Sequence, residues 1–307
     1  MAFMFRHEDY TSAWICPLEV EQTVALEMLD ELHEPLSQPH TDQSVYTLGS
    51  IGGHNIAIAG LPQTANNSAV AVITQARTTF PKLRFGLLVG IGDGEPTTTD
   101  CGMIRFGDIV GRKPTGEHSG SLFVRTGASA PPPAVLLSAA QILTTQRARS
   151  KKDPILANIQ RLDSSFRVLR RYLRPGEDKD YLYRARYPHI DPEVSCTQCK
   201  YDPSQRVQFA KYDDNHSVVI HRGTIGSGEL VVKNGILRDA LAKRYNLLCF
   251  ETEAAGVMAN FHCLIIRGIS DYCDSHKNSH WHEYAAAAAA AYARELFVYI
   301  LNDSTTF

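Results

Sequence analysis

Acidic side chains stand where apolar runs of this sequence end. Glu19 and Glu21 follow Ala13-Trp14-Ile15-Cys16 and Pro17; Asp93 and Glu95 follow the run LRFGLLVGIG; Glu251-Thr252-Glu253 follows LLCF; Ser270-Asp271 ends CLIIRGISD. In open α/β sheets, ligands sit in the crevice at the carboxyl ends of strands. A single acid there is ordinarily a helix cap or a first-turn residue favoured by the helix dipole. Several acids facing one cleft repel each other, so their collection points to a reaction that uses carboxyl groups.

Three other patterns carry less. The run Gly90-Ile91-Gly92-Asp93-Gly94-Glu95 is not the dinucleotide pattern GxGxxG, because Glu95 stands at the third glycine position. It fits a tight turn after a buried strand, or the close approach of backbone amides to a sugar or anion. Cys196 and Cys199 have metal-like spacing, with only His216 and His221 as obvious supplementary ligands. His276, His280 and His282 could bind metal on a helix, but Asn278 and Ser279 between them read as loop approaching the last helix. No metal or organic cofactor is expected.

The elements that must position these residues follow from periodicity. EVEQTVALEMLDELHEPL has Val20, Val24, Met28, Leu29 and Leu32 at helical spacing, YTLGSIGGHNIAIAGL reads as a hairpin around Gly52-Gly53, and residues 66–79 read as a helix. The run ending at Gly92 is a buried central strand, and RFGDIV gives another. Residues 112–133 read as loop; PAVLLSAAQILTTQ and NIQRLDSSFRVLRRYL read as helices; residues 174–215 form an irregular insertion. VVIHRGTIGSGELVV is strand-like, ILRDALAKRY helical, LLCFETEAAGVMANF passes from strand to helix, CLIIRGISD is a buried strand, and a helix with seven consecutive alanines closes the chain. Strands alternating with helices predict one α/β domain over residues 1–307.

The 307 residues suffice to bury a large core, and 44% hydrophobic content excludes a disordered chain. With 31 basic against 33 acidic side chains, the net charge of -2 gives no general pull on nucleic acid or anionic membrane. No segment reaches about 18 uncharged apolar residues. The charged N-terminus MAFMFRHEDY lacks a secretory pattern, and the 7 cysteines do not form a disulfide framework. A soluble, intracellular and cytoplasmic protein is expected.

The combination of a glutamate after the first strand, VGIG before GDIV, then SGE, ETEAAGVM and IRGISDYCDSHKN-W-YAAA resembles the nucleoside phosphorylase and nucleosidase superfamily. It is most similar to the fungal-type domains often attached to innate-immunity-like receptors. The resemblance covers most of the chain and implies a single α/β domain with a mixed, partly barrelled central sheet flanked by helices. The implied reaction breaks the N-glycosidic bond of a purine ribonucleoside. An acid protonates N7 of the leaving base, and carboxylates stabilise the oxocarbenium-like ribosyl group. By this resemblance Asp271 is the general acid with Ser270 beside it, and Glu253 holds the ribose hydroxyls with Glu251 supporting its loop. Gly92 lies in a turn over the sugar, and Val231 and Val232, after Ser227-Gly228, line the base pocket. Thr252 replaces the family's methionine, Glu229 its asparagine and Gly226 its alanine.

Nucleosidases of this superfamily carry a glutamate in the first strand-to-helix loop to activate water, where phosphorylases hold phosphate. Glu21 fits that position best and Glu19 second. Leu88 stands where phosphorylases tend to have arginine. Both positions favour hydrolysis, so a purine nucleosidase acting on adenosine, inosine or guanosine is expected. A phosphorylase is the alternative. A second alternative is a nucleosidase of ATP or AMP, for which Arg161, Arg167, Arg170, Arg171, Arg174, Arg184 and Arg186 would supply cations; a third is a catalytically silent nucleoside sensor. Relatives of this kind imply a homo-oligomer.

Overall fold

The computed structural model describes residues 5–112, 131–189, 194, 201–209, 218–276 and 278–301. In chain order the strands are β1 (Ser12–Cys16), β2 (Glu31–Leu32), β3 (Tyr46–Ile51), β4 (His54–Gly60), β5 (Phe85–Gly94), β6 (Thr98–Thr99), β7 (Gly102–Met103), β8 (Ile109–Arg112), β9 (Ile220–Ser227), β10 (Leu247–Glu251) and β11 (Cys263–Asp271). The helices are α1 (Glu19–Glu27), α2 (Asn66–Thr79), α3 (Ala134–Arg149), α4 (Pro154–Ile159), α5 (Gly235–Tyr245), α6 (Ala254–Asn260) and α7 (His282–Val298).

Nine strands form one mixed sheet in the order β10-β9-β8-β11-β5-β1-β4-β3-β2. The sheet also curls on itself, because β10 pairs antiparallel with β5 through Cys249↔Gly94 and Phe250↔Asp93. Strands β5, β11, β8, β9 and β10 therefore close a five-stranded barrel, from which β1, β4, β3 and β2 extend as an open wing. Around this sheet the helices make a single α/β layer structure. Residues of β5 and β11 are buried on both faces, as parallel central strands require.

The C-terminal helix lies against β11. Its alanines are buried, and a Cβ at Gly268 of β11 would fall on the Ala285 carbonyl, so the helix backbone nearly touches the strand. Small residues on both sides make that approach possible. The β3–β4 turn uses Gly52 and Gly53 at φ 57° and 82°, a region that favours glycine.

Three sequence expectations are corrected. The helix expected over 19–36 stops at Glu27, because Asp30 is taken by the Gly52 amide and the Arg294 guanidinium, and Glu31–Leu32 pairs with β3. The helix expected over 158–173 is a short α4 followed by turns, with the Asp163 side chain accepting from the Ser165 amide. RFGDIV begins as a turn in which Asp108 accepts from the Arg105 amide, and β8 starts only at Ile109. Of the insertion at 174–215, the described parts hold short 3₁₀ turns and one bridge, Tyr183↔Arg206. Cys196, Cys199 and His216 lie outside the described residues, as does most of the loop 112–133. No described helix is long and apolar enough to cross a membrane.

Candidate active site

Arg267 organises the barrel interior. It lies mid-way along β11, 1% exposed, in a strand buried at every residue. A guanidinium so placed needs anionic partners. Its Nη2 stands 2.5 Å from Glu251 Oε2 and 3.0 Å from Glu253 Oε2, and Nη1 donates to the Ile91 carbonyl at 3.2 Å. Burial disfavours the charge, but Glu251, Glu253 and Glu21 outweigh it and hold the group cationic.

The first turn of α1 supplies Glu21. Its Oε2 accepts from the Leu18 amide and its Oε1 from the Ile91 amide of β5, both at 2.7 Å. Burial pushes the Glu21 carboxyl up to about 7; Arg267 and the two amides pull it down, and Glu253 adds to the rise. A carboxyl poised there is part ionised at neutral pH and can accept a proton. Gly90 makes the approach possible, since a Cβ at that position would fall on Glu21 Oε1 and lie 2.7 Å from Arg267 Nη1. Gly90→Ala is expected to cost about 1–3 kcal/mol by overpacking. Thermal unfolding tests this, and a variant matching the native midpoint would refute the role of Gly90.

Glu251 and Glu253 flank the start of α6. Glu251 Oε2 accepts from the Glu253 and Ala254 amides at 3.0 and 2.9 Å, so it serves the helix start as well as Arg267. Thr252 Oγ1 donates to Glu253 Oε1 at 2.5 Å, which fixes one oxygen of Glu253 while Arg267 fixes the other.

Asp271 lies four residues beyond Arg267 at the end of β11, 2% exposed. Its Oδ1 accepts from the Cys273 amide at 3.1 Å, and Cys273 adopts a left-handed φ of 55°. The Cys249 thiol links the two ends of the site. It feels Arg267, Asp93 and Glu251, while Cys273 feels Asp93, Cys249 and Asp271. Burial raises both thiols, so they stay protonated and do not serve as nucleophiles. Glu251 Oε1, Arg267 Nε and Ser270 Oγ are buried without a hydrogen-bond partner among the described residues. Buried polar atoms are ordinarily satisfied.

The structure thus brings Glu251 and Glu253 onto one guanidinium, sets Glu21 where it feels that charge, and places Ser270 and Asp271 at the end of the same strand. Other expected residues fall elsewhere. Gly92 lies within β5, not in a turn, where a Cβ would stand 2.7 Å from Cys249 Sγ and 3.2 Å from the Phe250 carbonyl; its role is to let β10 close the barrel. Ser227 Oγ accepts from the Ala255 amide at 2.9 Å, outside the buried cluster. Val231 is half-exposed and Val232 partly buried in the loop between β9 and α5. Glu19 is exposed, with no hydrogen bond to the cluster among those described. Leu88 packs in the apolar layer between the sheet and α2 and α6.

His221 is committed to Asp108 Oδ2 at 3.2 Å and Thr99 Oγ1 at 2.8 Å, and His276 stacks on Tyr183. The Asn278 side chain accepts from the His280 amide, leading into α7. Among the described residues no group of three or more His, Cys, Asp or Glu could hold a metal ion. Arg267 is the site residue that a search of strand ends passes over, because it lies mid-strand. Its signal is a lone basic residue in the otherwise apolar run CLIIRGIS, four positions before Asp271.

The fold is shared with solved nucleosidases and a hydrolase. A 5′-methylthioadenosine/S-adenosylhomocysteine nucleosidase of Neisseria meningitidis superposes with a TM-score of 0.59 at 15% identity, covering 94% of this chain and 98% of that one. Futalosine hydrolase of Helicobacter pylori gives 0.58 at 13% identity, covering 95% and 98%. At these identities the likeness is one of fold. Among curated proteins, a nucleotide-binding leucine-rich repeat (NLR)-like protein of Hyaloscypha variabilis is 37% identical over 308 residues, 95% of this chain and 30% of that one. ATP nucleosidase Cap17 of Escherichia coli is 35% identical over 79 residues, 24% of this chain and 16% of that one. The chain thus spans less than a third of the length of these relatives. No family model matches it.

Proposed function

We propose that the chain is a purine nucleosidase that hydrolyses the N-glycosidic bond of an adenine-containing nucleoside or nucleotide. Water attacks C1′ and gives a proton to Glu21; the C1′–N9 bond breaks with its electron pair passing to the base; Asp271 gives a proton to N7. Glu253 binds the ribose hydroxyls, and Glu251 and Arg267 hold Glu253 in place. The products are free base and ribose, or ribose carrying the same 5′ substituent. The observation that carries this reading is Glu21: a carboxyl buried beside Arg267 and tuned to about 7 suits a proton acceptor for water. It also opposes phosphate, which a carboxylate would repel.

Adenosine, inosine, guanosine, AMP and ATP incubated in phosphate-free buffer and analysed by HPLC test this. Free base is expected from at least one of them without phosphate. Release only after phosphate is added would make the protein a phosphorylase, and tight binding without product would make it a sensor. A nucleotide substrate would need cations beside the sugar. The Tyr172 hydroxyl donates to the Val20 carbonyl at 2.9 Å, which ties the turn of Arg170 and Arg171 to the one that carries Glu21, while the Arg171 guanidinium pairs with Glu283 and that of Arg170 donates to the Ser165 carbonyl. Faster turnover of ATP than of adenosine in the same assay would select that substrate class. The single domain, the homo-oligomer and the cytoplasmic location remain part of this proposal.

A further inference from the structure

Arg238 has no part in the scheme above, yet it is one of the most deeply buried charged groups in the molecule, 2% exposed on α5. Its Nη1 donates to the Tyr272 carbonyl at 2.7 Å, the carbonyl that directly follows Asp271. Its Nε stands 3.0 Å from Glu95 Oε2, an ion pair to the segment that follows β5, and the same guanidinium bonds Asp239 Oδ1. Glu95 is itself tied to β10 through its amide and the Leu248 carbonyl at 2.9 Å. Arg238 therefore bridges three elements, α5, the end of β5 and the turn after β11.

That turn needs holding. It reverses through Cys273 in the left-handed region, which L side chains adopt at a cost. The Asp271 carboxyl is aimed by a single turn of chain, with Oδ1 on the Cys273 amide. On the far side Tyr272 stacks on Phe106 at 4.1 Å and its hydroxyl donates to Asp180 Oδ1 at 3.1 Å. Arg238 fixes the backbone between these anchors from inside through its hydrogen bond to the Tyr272 carbonyl. A bidentate, planar guanidinium can hold Glu95 and a carbonyl at once, whereas an ammonium is a point donor on a flexible stem.

We propose that Arg238 is a positioning residue for the acid: by clamping the Tyr272 carbonyl against Glu95, it sets the Asp271 carboxyl at the base. This rests on the proposed role of Asp271 and extends it to a residue that touches neither substrate nor reacting atoms. A misplacement of about 1 Å in such a group costs roughly 10²-fold in rate.

The test is a double-mutant cycle on the 307-residue chain, using the substrate that the phosphate-free assay identifies. Arg238→Lys keeps the charge opposite Glu95 and so protects the fold, and Arg238→Met removes it. Both are expected to lower kcat, by about 10-fold and about 10²-fold (~1.4 and ~2.7 kcal/mol), with KM unchanged within about threefold. In an Asp271→Asn background, Arg238→Lys is expected to change kcat by less than about twofold, because the acid it would position is already gone. Losses that multiply in the double variant, or that fall on KM, would overturn the proposal and leave Arg238 a structural residue. Unchanged kcat in Asp271→Asn alone would instead reject the reading of Asp271 as the acid, so the two failures are distinguishable.

Discussion

Asp271→Asn should lower kcat for an adenine nucleoside or nucleotide by about 10²–10⁴-fold, the usual worth of positioned acid catalysis. Asparagine is nearly isosteric, and its Oδ1 can still accept from the Cys273 amide, so the turn after β11 keeps its conformation. What is lost is the acidic proton, without which the purine leaves as an anion. The defect should therefore appear in kcat while KM stays close to the native value. Far-UV circular dichroism and the unfolding midpoint should match the native protein. Steady-state rates with the base detected by HPLC give the result, and a variant turning over within threefold of the native enzyme would remove Asp271 from the mechanism. Such a result would leave Glu21, Glu251, Glu253 and Arg267 as a buried ionic cluster with no leaving-group chemistry attached.

Much of the scaffold could be read before any coordinates. CLIIRGISD is β11 residue for residue, residues 66–79 are α2, and the Gly52-Gly53 hairpin turn is where alternation broke. These segments are legible because local pattern and tertiary demand agree in them. Failures occurred where a side chain was claimed by something distant in sequence. Asp30 ends a helical pattern because Arg294, 264 residues later, binds it. Asp163 breaks another pattern by bonding its own chain two residues on.

The candidate site was half legible for a similar reason. Strand ends pointed to Glu21, Glu251, Glu253 and Asp271, since acids stand out there. The closure of β10 onto β5 is what turns separate strand ends into one interior, and no periodicity encodes it. Gly92 illustrates the difference: a glycine at the end of an apolar run suggests a turn, whereas here it admits Cys249 from a strand that pairs antiparallel. Arg267 stayed hidden because a strand-end search has no place for a mid-strand base, although burial of one arginine among apolar residues already demands carboxylates.

Glu21→Ala should abolish hydrolysis, by about 10³-fold or more, while reducing affinity for nucleoside far less, because in the proposed mechanism Glu253 holds the ribose. Isothermal titration with the substrate against turnover in phosphate-free buffer separates the two effects. Native rates would move the water-activating role to Glu19 or elsewhere. The raised carboxyl adds a pH signature. A proton acceptor must be ionised, so kcat/KM of the native enzyme should climb with pH through about 7, until loss of the Asp271 proton limits it. Stability should move the opposite way. Burial raises the folded pKa above the ordinary carboxyl value of 4.5, so the stabilisation this group brings is complete below that value and is lost as pH rises through about 7. At ~1.36 kcal/mol per unit, the loss is at most about 3.5 kcal/mol. Glu21→Gln cannot titrate, so its unfolding free energy should lack that decline between pH 4.5 and about 7, and its activity should be lost at every pH. If the native and Glu21→Gln proteins show the same pH dependence of stability, the Glu21 carboxyl is ionised throughout, and a neutral-pH proton acceptor must be sought in another residue.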